Sequence, residues 1–247
     1  MSKRDLSLPS PLLNAAGTLG FRPKPDLLAG FELGAFITNP ISWRPRGPAR
    51  SATALDYPGG LLLHTGLPNP GFSALIRTHA RAWAASPIPI IVHLMADRPE
   101  ETRRMVQALE GLDNVIAVEL GFAPLLSDDL LLTALELAYS ELPLIVCLPW
   151  DQALRLGPRL VQFGASAVSL AAPRGAWLTL EGEWREGRLY GPSLLPHTLE
   201  LVRRLATIGV PTIGSGGIYR REHLRAMLDA GALAVQLDTV LWRGGLI

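Results

Sequence analysis

The segment of the chain that says most about its fold is Pro211-Thr212-Ile213-Gly214-Ser215-Gly216-Gly217-Ile218. It begins with a short apolar run typical of a buried strand, and three glycines then follow within four positions. Glycine permits a tight turn and leaves backbone N–H groups unobstructed by a β-carbon, so that they can face an anion. The segment therefore predicts a strand that ends in a phosphate-binding turn. The alternative is a tight turn that binds nothing.

Seven further apolar runs of this kind occur along the chain. The eight predicted strands are 12–16, 35–38, 88–94, 115–120, 143–148, 167–170, 210–213 and 234–237. Amphipathic segments between them predict helices at 73–83, 99–109, 127–139, 153–163, 196–208 and 221–229. Such alternation is typical of a parallel sheet buried on both faces. Eight repeats in 247 residues favour an α/β fold of the (β/α)₈ TIM-barrel type, as one domain covering 1–247.

Two stretches interrupt this alternation. The first, at 40–71, is rich in Pro, Gly and Arg and contains the apolar patch Leu61-Leu62-Leu63, and the second is a hydrophilic stretch at 179–191. Long loops in a compact domain are often functional. Because they follow the second and sixth predicted strands, we expect both at the C-terminal face of the barrel. Active sites of this fold lie at that face, and the loops after strands seven and eight form its usual phosphate site.

Composition narrows the function further. A formal net charge of +1, with 18% charged residues, argues against a dedicated nucleic-acid-binding surface. The single cysteine, Cys147, rules out an intramolecular disulfide and a zinc cluster built on cysteines. No run reaches the ~18 apolar residues that a membrane helix needs. We therefore expect a soluble, cytoplasmic protein without a metal site, whose partner is a small molecule that carries a phosphate.

Several motifs resemble those of the dihydroorotate dehydrogenases and follow one another in the same order. They are Leu12-Leu13-Asn14-Ala15-Ala16-Gly17-Thr18, Gly59-Gly60-Leu61, Gly66-Leu67-Pro68-Asn69-Pro70-Gly71, Tyr190-Gly191-Pro192, the segment at 211–218, and Ala230-Gly231-Ala232 with Val235-Gln236-Leu237-Asp238-Thr239. This resemblance covers nearly the whole chain. It implies an FMN-dependent oxidoreductase (a flavoprotein) of pyrimidine metabolism, in a family whose members often form homodimers.

The resemblance also implies which residues would bind. Those expected to contact FMN are Ala15, Ala16, Gly17, Asn39, Gly191, Gly214, Ser215, Gly216, Gly217 and Thr239. Those expected near the substrate are Gly66, Leu67 and Asn69.

The chain departs from the family at the centre of the site. The family has one lysine after the second strand and another at the end of the fifth, where this chain has Asn39 and Cys147. Positions of substrate-binding asparagines are occupied by Leu63, Gly121 and Ala171 or Ala172. The family's general base falls on Ala123 or Pro124, neither of which can transfer a proton. We therefore expect that this chain alone does not oxidise dihydroorotate in the ordinary way.

The phosphate corner departs as well. Asp238 stands where the family has a small glycine beside the phosphate. A carboxylate within a few ångströms of a phosphate repels it unless a cation lies nearby. Arg220 and Arg174 are the candidates for that cation.

Few side chains remain that could transfer a proton. His64 precedes the turn that begins at Gly66, and it is either a proton donor near the substrate or a solvated loop residue. Cys147 is either a reactive thiol or, as we favour, a buried and inert one, because the sequence places no cation beside it. His93 and Glu119 lie on the third and fourth predicted strands, and we interpret both as structural.

Three functions follow from these observations. The first is an FMN oxidoreductase with a diverged active site that does not bind its substrate as the family does. The second is a non-catalytic paralogue that acts as a binding or assembly partner. The third is a barrel that binds another phosphorylated metabolite in place of flavin.

Overall fold

The computed structural model describes residues 5–28, 30–123, 126–243 and 246 of the chain. Its strands are β1 (Leu12–Asn14), β2 (Phe36–Ile37), β3 (Thr53–Tyr57), β4 (Gly60–His64), β5 (Ile90–Met95), β6 (Val115–Gly121), β7 (Leu144–Leu148), β8 (Ala167–Leu170), β9 (Arg174–Leu178), β10 (Trp184–Tyr190), β11 (Thr212–Ser215) and β12 (Ala234–Leu237). Its α-helices are α1 (Pro25–Leu28), α2 (Phe72–Ala84), α3 (Pro99–Glu110), α4 (Asp128–Leu137), α5 (Trp150–Gln162), α6 (Leu195–Thr207) and α7 (Arg221–Asp229), and short 3₁₀ helices cover Pro192–Leu194 and Thr239–Arg243.

Eight of these strands form one parallel sheet in the order β1-β12-β11-β8-β7-β6-β5-β2. A bridge between Leu13 and Ala35 joins the two outer strands, β1 and β2. The side chain of Asn14 strengthens this junction, because Ile37 N donates to Oδ1 at 2.8 Å and Nδ2 donates to Ile37 O at 2.7 Å. The sheet therefore closes on itself with helices around it, which confirms the predicted (β/α)₈ barrel.

The barrel interior changes from apolar to polar along the strands. The apolar layer consists of Leu13, Ala35, Ile37, Ile91, Ala117, Ile145, Ala167, Ile213 and Ala234. Residues two positions further along a strand point the same way, and these include His93, Glu119, Cys147, Ser169, Ser215 and Gln236. A polar layer above an apolar one is stable only if its groups hydrogen-bond to one another. The outward strand faces pack against the helices in a second, larger apolar cluster.

Local signals in the sequence explain the helix ends. Ser127 caps α4 by accepting a hydrogen bond from Leu130 N, and Pro99 opens α3 ahead of two glutamates. All eight predicted strands and all six predicted helices are present, with ends displaced by a few residues. The largest displacement is at α5, which begins at Trp150 and not at Ala153. No helix within the described ranges is long and apolar enough to cross a membrane.

The two interrupting stretches are more ordered than we expected from the sequence. The stretch at 40–71 contains the hairpin of β3 and β4, and the stretch at 179–191 belongs to the hairpin of β9 and β10. The hairpins pair antiparallel in the order β3-β4-β10-β9, forming a four-stranded sheet that we call the mouth sheet. Treating them as loops was therefore wrong, because alternation in β3 was hidden by its Pro- and Gly-rich flanks. Their common position, after β2 and β8 at the C-terminal face, is confirmed.

Candidate functional site

The candidate site lies at the barrel mouth, where the C-terminal ends of the parallel strands meet the mouth sheet. Its centre is the carboxylate of Glu119, a buried side chain on β6. Ser169 Oγ donates to Oε1 at 2.6 Å, and Gln236 Nε2 donates to the same oxygen at 2.7 Å. His93 Nδ1 lies 2.6 Å from Oε2. Three strands besides β6 thus contribute one partner each to a single carboxylate.

These bonds keep Glu119 charged inside the barrel. Burial alone would raise the pKa of its carboxyl, but the hydrogen bonds from His93, Ser169 and Gln236 hold that pKa below its usual value. An ionised carboxylate can only accept hydrogen bonds, so His93 Nδ1 must carry the proton between them. The imidazole is therefore fixed in orientation, with Nε2 turned away from Glu119.

Gly121 leaves the space that the imidazole fills. It follows Glu119 by two positions on β6, nearer the mouth, and a β-carbon at this residue would overlap His93 Nε2. Position 121 is also where the resemblance expects an asparagine. Glycine at 121 and histidine at 93 are thus complementary, because the imidazole ring occupies the space that a side chain at 121 would fill. The sequence did not predict this pair, because the two residues lie on different strands. The inward-facing positions 119 and 121, two residues apart on β6, were the signal that could have revealed it.

A cation also reaches the mouth, from the mouth sheet and not from a barrel strand. Arg188 on β10 is half-buried, and its Nη1 donates to Ala172 O at 2.8 Å. Burial and the nearby Glu119 charge raise the pKa of the Cys147 thiol to about 12, against a smaller opposing effect of Arg188. This influence of Arg188 on Cys147 was not evident from the sequence. Its interpretation as an inert thiol agrees with the raised pKa, because the reactive thiolate is scarce at neutral pH.

Tyr190, two residues after Arg188 on the same strand, faces the same region. Burial raises the pKa of its hydroxyl to about 12, with Arg188 opposing the rise and Asp238 and Cys147 adding to it. Arg188, Cys147 and Asp238 are thus near enough to Tyr190 to influence its protonation. Arg188 therefore supplies a positive charge near the position of the missing lysine. Sequence reasoning had no signal for it, because β10 was not recognised as a strand.

The glycine turn after β11 keeps the backbone that the sequence predicted. Gly216 and Gly217 have φ of 109° and 83°, a region that side chains rarely adopt, and Ser215 before them is buried. A β-carbon at Gly217 would overlap the backbone at the start of α6, whereas Gly214 faces α7 on the outside of the barrel. Gly191 is buried against the turn between β3 and β4. Chain packing alone therefore accounts for glycine at several of these positions.

The side chain of Asp238 lies next to the backbone amides that follow β12. Its carboxylate is buried next to the backbone N–H groups of Thr239 and Val240, at the start of a 3₁₀ helix, and these N–H groups favour its charged form. Thr239 Oγ1 lies 3.2 Å from Asp238 Oδ1 and 2.6 Å from the hydroxyl of Tyr219. Burial raises the pKa of Asp238 to about 6, although the bonds from these amides oppose the rise. The anion at this corner is thus the protein's own side chain.

The expected cation beside Asp238 does not appear. Among the described residues, no arginine forms an ion pair with this carboxylate, and Arg220 lies 3.4 Å from Glu222. Arg174 is exposed on β9, where it pairs in register with Arg188. Expecting Arg220 or Arg174 at the phosphate corner was therefore wrong, since both side chains project towards solvent.

The wall expected beside the flavin ring is more open. A β-carbon at Gly17, which has φ of 86°, would meet a single atom within 4 Å, at 3.8 Å. Ala15 is buried and Ala16 is partly exposed, so both are small enough to leave room for a flat ring. Asn39, by contrast, is engaged with the backbone, because its Oδ1 accepts from Gly20 N at 3.0 Å. This wall fits a flavin ring, but the Asp238 corner does not fit a phosphate dianion, and FMN as a whole is therefore not matched.

The turn expected near the substrate is held by its own asparagine. Asn69 Oδ1 accepts hydrogen bonds from Gly71 N at 3.0 Å and from Ser42 N at 3.2 Å, while Nδ2 donates to Leu67 O at 3.1 Å. Gly66 and Leu67 both have positive φ, of 78° and 56°. The side-chain amide of Asn69 therefore holds the turn in shape. Its oxygen and nitrogen are the atoms that would otherwise contact a substrate.

The remaining candidate positions carry little chemistry. His64 ends β4, where it pairs in register with Thr53 of β3. Leu63 pairs with Arg188 of β10, and Ala171 is buried at the end of β8. Ala123 is partly exposed after β6, and Pro124, the other position expected for the base, lies outside the described residues.

Comparisons with known proteins agree with the motifs. No protein-family model matches the chain. A protein of Geotalea uraniireducens named dihydroorotate dehydrogenase B (NAD(+)), catalytic subunit, is 30% identical over 97% of this chain and 88% of its own length. Proteins with the same name in Geotalea daltonii and Desulforudis audaxviator are 28% and 27% identical, over 97% and 95% of this chain and 88% and 83% of their own lengths. With this likeness extending over nearly its whole length, the chain belongs to the dihydroorotate dehydrogenase family.

Proposed function

We propose that this chain is a dihydroorotate dehydrogenase paralogue that keeps the family's barrel, has lost its flavin-dependent oxidation, and binds a small molecule at the barrel mouth. The observation that carries the proposal is the buried Asp238 carboxylate, which accepts from Thr239 Oγ1 at 3.2 Å and lies next to the amides of Thr239 and Val240. Those amides are at the corner where the family's phosphate is expected. Two unit charges about 4 Å apart repel by about 4 kcal/mol at an effective dielectric constant of about 20. That repulsion corresponds to roughly 1000-fold in affinity.

The losses at the catalytic centre support the same conclusion. Orotate is a polar anion, and the positions of its expected donors are taken by Leu63, Gly121 and Ala171 or Ala172. Each polar group buried without a partner costs about 1–3 kcal/mol. Loss of a general base costs a further ~10²–10⁴ in rate. The polar groups that the mouth does offer are His93 and Arg188, which suit binding of a different molecule.

The experiment measures flavin content and activity of the purified chain. We expect a colourless protein, negligible quenching of FMN fluorescence on titration, and no reduction of a dye acceptor with dihydroorotate. Replacing Asp238 by glycine restores the family residue and frees the two amides, so FMN affinity should rise by about 100-fold or more. Asp113→Gly, in an exposed turn before β6, is the matched control and should not change it. Stoichiometric FMN in the wild type, with dihydroorotate oxidation, would overturn the proposal.

A second candidate is an FMN oxidoreductase that acts on another substrate. It is favoured by the open wall at Ala15, Ala16 and Gly17 and by the turn at Gly216 and Gly217, which keeps its positive φ. This candidate predicts a yellow wild-type protein, so the same measurement separates the two. A phosphorylated metabolite would meet the same repulsion at Asp238, and no contact among the residues that the structure describes favours that third function. The expected homodimer stays a prediction, which light scattering of the purified chain checks.

A further inference from the structure

We propose that His93 is a ligand-contacting base at the barrel mouth, held by Glu119, and that this site takes a small molecule offering an N–H or O–H hydrogen to Nε2. The inference rests on the binding role proposed above and names the chemistry of the ligand. It does not depend on whether flavin binds. Glu119 is then a positioning residue, because it acts on the ligand through His93.

The first step of the argument is the fixed orientation of the ring. Nδ1 lies 2.6 Å from Glu119 Oε2, and Glu119 is itself held by Ser169 and Gln236. A histidine whose Nδ1–H is bound to a carboxylate presents an acceptor lone pair at Nε2 in its neutral form. Carboxylate–imidazole pairs of this kind are the usual way in which proteins orient a histidine for proton transfer.

The second step is that Nε2 is unpaired and reachable. No hydrogen bond to this atom exists within the described residues, although the side chain is only 8% exposed. Over the same part of the chain, the one side-chain nitrogen or oxygen that is both sealed from solvent and unpartnered is Trp150 Nε1. Nε2 of His93 therefore touches the open side of the mouth. A nearly buried polar atom of this kind is expected to have a partner, so a ligand or water belongs there.

The third step is the shape around Nε2. Gly121 has no side chain to cover the atom. Beyond Glu119, the titratable or charged groups on this side of the mouth are Cys147 and Arg188, because the Cys147 pKa responds to both Glu119 and Arg188. Cys147 is a protonated thiol and Arg188 only donates, so His93 is the acceptor among them that is free to take a proton.

The proton balance is simple. A ligand N–H or O–H donates to Nε2, and if it gives up the proton, the ligand becomes an anion and His93 an imidazolium. The Glu119 carboxylate balances that positive charge, and Arg188 offers a positive charge for the anion. No oxidant or other co-reactant is needed.

Site-resolved chemical modification tests whether Nε2 is reachable. Diethyl pyrocarbonate transfers an ethoxycarbonyl group to an unprotonated imidazole nitrogen, and peptide mass spectrometry reports each histidine separately. We expect His93 to react in the folded chain, more slowly than the exposed His197. Gly121→Ala places a methyl group against Nε2 and should reduce the His93 rate at least about tenfold, whereas Gly111→Ala, which meets nothing within 4 Å, should not. An unmodified His93 in folded wild type, beside a reacted His197, would overturn the proposal.

Nitrogen-15 NMR tests the orientation and the ligand class, and it serves also if Gly121→Ala does not fold. We expect one tautomer of His93 in the wild type and a mixture in Glu119→Gln, because glutamine can either accept from Nδ1 or donate to it. Succinimide, a cyclic imide with one N–H, should shift the Nε2 signal, while N-methylsuccinimide should not. Equal responses to the two imides, or none, would refute the ligand class. Flavin content is measured separately, so failure here and failure of the proposed function are distinguishable.

Discussion

Replacing Asp238 by asparagine should stabilise the folded chain at neutral pH. Asparagine keeps an oxygen for the amides of Thr239 and Val240 but carries no charge to bury. The pKa of Asp238 rises from its ordinary 3.8 to about 6 in the folded chain, chiefly because the carboxyl is buried. The folded chain thus binds this proton more tightly than the unfolded chain does. Consequently, the wild type's free energy of unfolding falls as pH rises from 3.8 to about 6, and then stays low.

The size of the effect follows from the same two values. Each pH unit between folded and unfolded pKa corresponds to ~1.4 kcal/mol, so a rise from 3.8 to about 6 corresponds to about 3 kcal/mol. Urea unfolding of wild type and Asp238→Asn at about pH 4.5 and about pH 7.5 measures it. The free energy of unfolding of Asp238→Asn should exceed that of wild type only slightly at the lower pH, and by about 3 kcal/mol at the higher pH. Asp113→Asn, at an exposed turn, should stay within about 0.5 kcal/mol of wild type at both.

One result would refute this reasoning. If Asp238→Asn is the less stable chain at neutral pH, and wild-type stability does not fall across the interval, then the folded chain stabilises the Asp238 carboxylate. Either a cation beside it or the amides of Thr239 and Val240 would then outweigh the cost of burial. In the first case, the argument against a bound phosphate would lose its main support.

Two further substitutions test the barrel that holds the site. Gly217→Ala should destabilise the chain by about 2 kcal/mol or more, because φ is 83° and the new β-carbon overlaps the backbone of Leu195, while Gly111→Ala should change stability by less than about 0.5 kcal/mol. Equal denaturation midpoints for the two variants would contradict this. Asn14→Ala should cost about 2–4 kcal/mol, since Ile37 N and O lose their partners at the closure between β1 and β2. A urea midpoint close to that of wild type would show that water or the neighbouring strand replaces the amide.

The barrel could be predicted from the sequence because its signal is local. Each strand is a continuous apolar run, and residues such as Ser127 and Pro99 mark where helices begin. The mouth sheet could not be predicted in this way, because its strands are half-exposed and lie within Pro- and Gly-rich segments. The turn at Pro58-Gly59-Gly60 between two strand-forming runs was the one local hint of the first hairpin.

The candidate site was harder to predict because its groups meet only across strands. His93 and Glu119 are 26 residues apart and become neighbours through the register of β5 and β6. Both residues were interpreted as structural because each was considered alone. That interpretation missed His93 Nε2, the atom that Gly121 leaves uncovered. Asp238 was identified from the sequence as a departure from the family. Its position next to the amides that follow it became clear only from the backbone structure. Arg188 depends on a strand that the sequence did not reveal.

The mouth sheet has a consequence for how the chain folds. Its central pair, β4 with β10, joins Leu63 to Arg188, residues roughly 125 positions apart in the sequence. Contacts of such separation form slowly, because the loop entropy is lost before any bond compensates for it. The strands in the middle of the barrel can make their neighbouring-strand contacts first, so the two hairpins should meet later than those strands do. Hydrogen exchange during refolding should therefore protect the amides of β5 to β8 before those of β4 and β10, and the binding mouth would mature after the middle of the barrel.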